Sequence, residues 1–130
     1  DITSDEDFEN KDFRALLIID DLITQVMQQK MKRIHLLWLK SRHLKLSIIL
    51  VTHKYNMVPR VLRTNMTHFI TFRSKSKKEL ESVYEDIIDL PEENWEQVYN
   101  YATAEQYNFL YVEAAKNPQI YWKNFEEKIM

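Results

Sequence analysis

Ala15-Leu16-Leu17-Ile18-Ile19-Asp20-Asp21 decides how the rest of the chain is read. Four large apolar residues run straight into two adjacent carboxylates. A short, continuous apolar run containing β-branched residues suits a strand buried on both faces, as in parallel sheets. Acidic residues at the C-terminal end of such a strand stand where open α/β sheets place their ligands. This is the shape of a Walker B strand, in which Asp20 joins the Mg²⁺ shell and Asp21 polarises an attacking water. A buried strand that merely ends in an acidic turn has the same local pattern, so both readings stand at this point.

The elements after this strand set its context. Residues 22–43 carry Ile23, Val26, Met27, Met31, Ile34, Leu37 and Trp38 at spacings of three and four, which predicts a helix with one apolar stripe. Its Met and Trp side chains read as core filling. Residues 46–51, Leu-Ser-Ile-Ile-Leu-Val, form a second buried-type strand that ends in Thr52-His53. Thr52 and His53 fit a sensor that touches a γ-phosphate or its water, and Thr52 fits equally well as a strand cap. Pro59 opens a short helix carrying Arg60, Leu62 and Arg63, and residues 67–72 make a third strand around Phe69-Ile70-Thr71-Phe72.

Farther along, a loop with Arg73, Lys75 and Lys77 precedes an amphipathic helix over 78–89, which turns Leu80, Val83, Tyr84 and Ile87 inward. Pro91 starts another helix to residue 103, with Trp95, Val98 and Tyr99 as its packing face. Glu92 and Glu93 there suit the positive end of the helix dipole. Residues 109–112 and 120–122 pair as a hairpin across 116–119, and 123–130 is expected to be a short terminal helix. The order of strand, helix, strand, short helix, strand, helix predicts an α/β fold: parallel strands with crossover helices, plus a terminal hairpin and helix. Residues 1–12 are acidic and polar and read as a flexible N-terminal segment; 13–130 read as the folded domain.

Composition narrows the chemistry. At 130 residues, 45% hydrophobic and 29% charged, the chain can build one core of ordinary size. It holds no run near the ~20 apolar residues of a membrane span. Cysteine is absent, which removes disulfides and thiolate metal sites and permits an intracellular setting. Glycine is absent as well, so the chain cannot supply a Walker A loop, whose glycines let backbone N–H groups wrap phosphate. There is no GxSxG elbow, no HExxH and no Cys–His pair. His35, His43, His53 and His68 lack metal-ligand spacing.

Net charge is only −2, yet its distribution is lopsided. Thirteen Lys or Arg and no Asp or Glu fall between Leu22 and Lys78, while eight acids precede that block and twelve follow it. Such segregation reads as a surface for nucleic acid or nucleotide phosphate. The alternative is an interaction domain whose basic block pairs with its own acidic C-terminal third.

These residues carry a family resemblance. Leu16-Leu17-Ile18-Ile19-Asp20-Asp21, Ser41-Arg42-His43-Leu44, Ser47-Ile48-Ile49-Leu50-Val51-Thr52-His53 and Val58-Pro59-Arg60-Val61-Leu62-Arg63-Thr64-Asn65, followed by Phe69-Ile70-Thr71-Phe72-Arg73, resemble the second half of a viral genome-packaging ATPase. The family is that of poxvirus-type and giant-virus packaging ATPases, shared with virophages and Polinton-like elements, within the FtsK–HerA superfamily. The resemblance spans about residues 14–90.

It implies the second half of a RecA-like P-loop core that hydrolyses ATP with Mg²⁺ and drives double-stranded DNA into a capsid. It also implies a homo-oligomeric ring, a capsid or portal-type partner, and a place in the virion or viral factory. Asp20 is then the Mg²⁺ ligand and, with Thr52, a nucleotide contact. Asp21 activates water, His53 stands at the sensor position, and Arg42 is an arginine finger acting on a neighbouring subunit. Arg60 and Arg63 are alternative fingers or DNA contacts, and Lys75 and Lys77 lie in the block expected to meet DNA. Two positions depart from the family: His53 where Gln is usual, and Ser41 where Gly precedes the Arg-His pair.

In such a core the Walker A strand lies between the sensor strand and the third strand. The expectation is therefore that this polypeptide, which starts at Asp1 rather than Met, is part of a longer chain or is completed by another one. Alone it should not hydrolyse ATP. The rival expectation is a non-enzymatic module that binds nucleic acid or capsid protein.

Overall fold

The apolar run before Asp20 forms β1 (Ala15–Asp20), and Leu-Ser-Ile-Ile-Leu-Val forms β2 (Leu46–Val51). They pair in parallel from Ala15 opposite Leu46 to Asp20 opposite Val51. A computed structural model describes residues 14–20, 31–41 and 43–130. The chain divides into two compact units, Asp1–Val58 and Pro59–Met130.

In the first unit, parallel pairing requires a long crossover, and α1 (Met31–Lys40) lies within it. The rest of the helix expected over 22–43 falls outside the described residues, apart from Ser41, which bends away, and His43, which lies in a turn. Ser41 Oγ donates to the Trp38 carbonyl at 2.9 Å, and Leu46 N–H donates to the Ser41 carbonyl at 2.8 Å. Lys45 takes a left-handed conformation at φ 53° to start the strand.

Leu44 and Leu46 are the buried centre here, and Ala15, Leu17, Leu37 and Ile48 pack around them. Leu16, Ile18, Ile49 and Val51 alternate onto the other face and remain 44–59% exposed. Parallel sheets are ordinarily covered on both faces; among the described residues of this unit, this face of the pair is left largely exposed.

In the second unit, Pro59 precedes the single turn α2 (Arg60–Arg63), as expected of a residue that lacks an N–H to orphan. Next come β3 (His68–Thr71), α3 (Lys77–Ile87) and α4 (Glu92–Ala102). The strands β4 (Leu110–Glu113), β5 (Ile120–Lys123) and β6 (Glu127–Lys128) complete it. Strand order is β3-β4-β5-β6, antiparallel throughout. Leu62, Val83, Ile87, Trp95, Val98, Tyr99, Ala102, Leu110, Val112 and Tyr121 are buried and form its core.

The α/β class holds, with two corrections in detail. β3 does not continue a parallel sheet but pairs antiparallel with β4, Ile70 opposite Tyr111. The expected terminal helix over 123–130 is instead a turn and the short strand β6. Asn124 there adopts φ 55°, a region Asn tolerates better than most residues, and its Nδ2 donates to Asn108 Oδ1 at 3.2 Å. The chain thereby doubles back, and Ile129 N–H reaches the Tyr121 carbonyl at 2.7 Å.

Candidate functional site

Within the first unit, the in-register pairing sets the C-terminal ends of β1 and β2 level. Asp20, the last residue of β1, is exposed and lies opposite Val51. Thr52 follows Val51 directly, so the acidic strand end and the sensor candidate stand side by side at one edge. Ile19 beneath them is buried at 5% exposure, which roots Asp20 on an ordered strand.

The Thr52 hydroxyl is folded into a local turn. It accepts from Lys54 N–H at 3.1 Å and donates to the Lys54 carbonyl at 3.3 Å. That arrangement satisfies the strand-cap reading and leaves Thr52 positioned beside Asp20. His53 is exposed next to it. Asp21 and Arg42 lie outside the described residues.

Mg²⁺ is commonly held by one or two carboxylates and completed by waters and substrate phosphates. No cluster of three His, Cys, Asp or Glu suited to a metal occurs among the described residues. One exposed carboxylate at a strand end, Asp20, therefore fits the ion only as a single protein ligand in an assembly that brings the phosphates.

The cationic candidates lie in the second unit. Arg60 is exposed on the first turn after Pro59. Arg63, one turn on, points its guanidinium into the unit: Nη1 donates to Asp86 Oδ2 at 2.8 Å, with side chains only 17% and 12% exposed. Lys75 and Lys77 are exposed on either side of Ser76, the N-cap of α3, whose side chain accepts from Glu79 N–H at 3.3 Å. Cations at the positive end of a helix are electrostatically uphill, by roughly 0.3–1 kcal/mol each at a surface. An anion seated there relieves that cost.

Reading by residue type misses what holds this basic loop in shape. Tyr99 belongs to the packing face of its helix, and it is buried; its hydroxyl also accepts from Ser74 N–H at 2.7 Å and donates to the Phe72 carbonyl at 3.4 Å. The Arg73 guanidinium lies 6.0 Å from the centre of the Tyr99 ring and donates to Thr103 Oγ1 at 3.4 Å. Thr103 is itself buried and donates to the Tyr99 carbonyl at 2.7 Å. The signal in the sequence is the spacing of Tyr99 and Thr103, four apart on one helix face.

Comparison with known proteins gives one family. The family model described as Poxvirus A32 protein matches residues 2–90. No curated protein and no solved structure matches the chain. The family match bears out the resemblance read from residues 14–90, at the level of the poxvirus branch.

Proposed function

Because the chain belongs to the poxvirus A32 protein family, a family related to viral genome-packaging ATPases, we propose that it is the C-terminal half of a packaging motor. The motor couples ATP hydrolysis to movement of double-stranded DNA into a capsid. The observation that carries this reading is the level placement of Asp20 and Thr52 at the ends of two in-register parallel strands. Ligands of open α/β sheets bind outside those ends.

In this role Asp20 would hold a Mg²⁺ ion, which would supply positive charge against that developing on the phosphate. Asp21 accepts a proton from the attacking water. Thr52 and His53 hold that water or the γ-phosphate, and Arg42 reaches a neighbouring subunit's nucleotide in a homo-oligomeric ring. The glycine-free chain lacks a phosphate cradle, so a second stretch of polypeptide supplies it, and the site is catalytic only when so completed. Arg60, Lys75 and Lys77 meet DNA phosphates, whereas Arg63 is engaged by Asp86, and a capsid or portal-type protein anchors the ring. The work is done in the virion or viral factory. No helix among the described residues is long and apolar enough to cross a membrane.

The decisive experiment pairs the chain with the polypeptide that carries a GxxxxGK(S/T) loop and measures phosphate release and ATP binding together. Asp21→Asn should abolish turnover and spare binding. Unchanged turnover would remove Asp21 from this role and with it the motor reading.

One observation favours a second reading, a non-enzymatic nucleic-acid-binding module. The basic loop is anchored by Tyr99 and Thr103 of its own unit, through bonds that require no nucleotide. Duplex binding by the chain without any cradle-bearing partner, and no turnover with one, would select it.

A further inference from the structure

The residues that leave β3 are fastened, one after another, to the last turn of α4. The Phe72 carbonyl accepts from Tyr99 OH at 3.4 Å, the Arg73 guanidinium donates to Thr103 Oγ1 at 3.4 Å, and Ser74 N–H donates to Tyr99 OH at 2.7 Å. Tyr99 and Thr103 are buried, at 5% and 1% exposure, so the anchors are themselves fixed. The cations that follow are held differently. Among the described residues the side chains of Lys75 and Lys77 have no such anchor, which suits charges that meet a DNA backbone without selecting one geometry.

Arg73 is oriented by uncharged groups alone: the Thr103 hydroxyl, and the Tyr99 ring, whose centre lies 6.0 Å from Cζ. Among the described residues no carboxylate pairs with it, whereas Arg63 is matched by Asp86 at 2.8 Å. Arg73 is also exposed. A guanidinium set in place by neutral partners keeps its charge and most of its N–H donors for another group. Part of the side-chain ordering that an anion would otherwise have to impose is already present.

The end of β3 gives that anion an identity. A P-loop stands at the C-terminal end of its strand, and parallel strands bring those ends to one edge of a sheet. The motor reading seats the cradle strand in parallel beside β3, about 4.8 Å away across the ladder. Arg73, two residues past the last residue of β3, Thr71, then stands at the rim of the phosphate loop.

We propose that Arg73 binds the polyphosphate of the nucleotide, with Tyr99 and Thr103 as its positioning residues. The inference rests on the motor reading, because that reading places the cradle. It adds a residue on the β3 side of the phosphates, and it leaves the edge of β3 to the cradle strand. A planar guanidinium can take two phosphate oxygens at once, and Arg73 is offered to them with its charge unmatched. The competing role is structural. Arg73 lies at the C-terminal end of α4, where the helix dipole favours a cation, and a role limited to that would show in stability alone.

The test joins the chain to the cradle-bearing polypeptide. It measures binding of a non-hydrolysable ATP analogue with Mg²⁺ by calorimetry, duplex binding by fluorescence anisotropy, and thermal unfolding. Arg73→Ala should weaken analogue binding about tenfold or more, the loss expected for a hydrogen bond to a charged group, and leave duplex affinity near the parent's. Arg73→Lys keeps the charge without the fork and should recover only part of that loss. Thr103→Val keeps Arg73 and removes its anchor, so it should weaken analogue binding by a smaller factor. Parent-like analogue affinity in Arg73→Ala would overturn the proposal, and a lowered unfolding temperature with it would leave Arg73 as a staple for the end of α4. A loss of duplex affinity with analogue affinity unchanged would overturn it in favour of a DNA phosphate. If the parent assembly binds no analogue, the motor reading fails and the role of Arg73 fails with it. If the parent binds the analogue and Arg73→Ala matches it, the role of Arg73 alone fails.

Discussion

Asp20 stands opposite Val51 in the parallel register, one residue short of Thr52, so the acidic end of β1 and the polar end of β2 share one edge. Because Asp20 is exposed, its carboxylate can be replaced without disturbing the strand beneath it. Asp20→Asn should leave thermal stability within about 0.5 kcal/mol of the parent, as expected at an exposed surface site. In the ATPase completed by a phosphate-cradling polypeptide, the same change should raise the Mg²⁺ concentration needed for hydrolysis. A magnesium titration of phosphate release reads this directly. An unaltered Mg²⁺ requirement would take Asp20 out of the metal shell.

The loop that carries Lys75 and Lys77 is held by Tyr99 and Thr103, so its cations can be removed while its shape is kept. Lys75→Ala combined with Lys77→Ala should weaken binding to random duplex DNA uniformly across sequences. It should also flatten the dependence of log affinity on log salt by about one for each phosphate the variant no longer neutralises. Fluorescence anisotropy at several salt concentrations measures both. An equal slope for parent and variant would mean that neither lysine meets a phosphate. Tyr99→Phe is the companion change: it removes the acceptor for Ser74 N–H and should lower affinity while leaving the charge in place.

How legible each part was follows from how local its cause is. β1, β2, α3 and α4 were legible because their patterns are set by their own residues: a β-branched apolar run, a stripe at helical spacing, Pro91 at a helix start. The partner of β3 was not, since Phe69-Ile70-Thr71-Phe72 fits a parallel or an antiparallel neighbour equally well, and the choice rests on the distant β4. β6 was hidden behind a helix-compatible run, Asn-Phe-Glu-Glu-Lys, that the left-handed Asn124 interrupts. At the site, the acidic strand end could be read from residue types. The engagement of Arg63 with Asp86 could not, because twenty-three residues separate them.

That ion pair gives Arg63 a structural task. With both side chains more than four-fifths shielded, the bond should be worth more than the 0–1 kcal/mol of an exposed pair. Arg63→Ala should cost about 1.5–3 kcal/mol, the range for a hydrogen bond to a charged group. A double-mutant cycle with Asp86→Ala, followed by urea denaturation, isolates the coupling. A coupling near zero would show that the side chains are held by packing alone. Arg60→Ala, on the exposed turn beside it, should leave stability nearly unchanged, which separates a surface cation from an embedded one.

The outer face of the antiparallel sheet carries a carboxylate whose titration can be read. Trp122 Nε1–H donates to Glu113 Oε2 at 3.1 Å, and Lys116 Nζ lies 3.3 Å from Oε1. The indole hydrogen bond first, and the Lys116 cation after it, favour the charged form and hold the Glu113 carboxyl below its usual range. A group depressed in the folded state contributes stability that is present above its unfolded pKa and lost as pH falls through its folded one. The β4–β5 hairpin should therefore be indifferent to pH near neutrality and loosen in the acid range. Trp122→Phe keeps an aromatic ring there and removes the donor. The Glu113 titration, followed by ¹³C NMR of its carboxyl, should then move up toward the ordinary glutamate value, and the acid-range loss attributable to this residue should shrink. An unmoved titration in Trp122→Phe would assign the depression to Lys116 instead, and Lys116→Ala would then carry the whole shift.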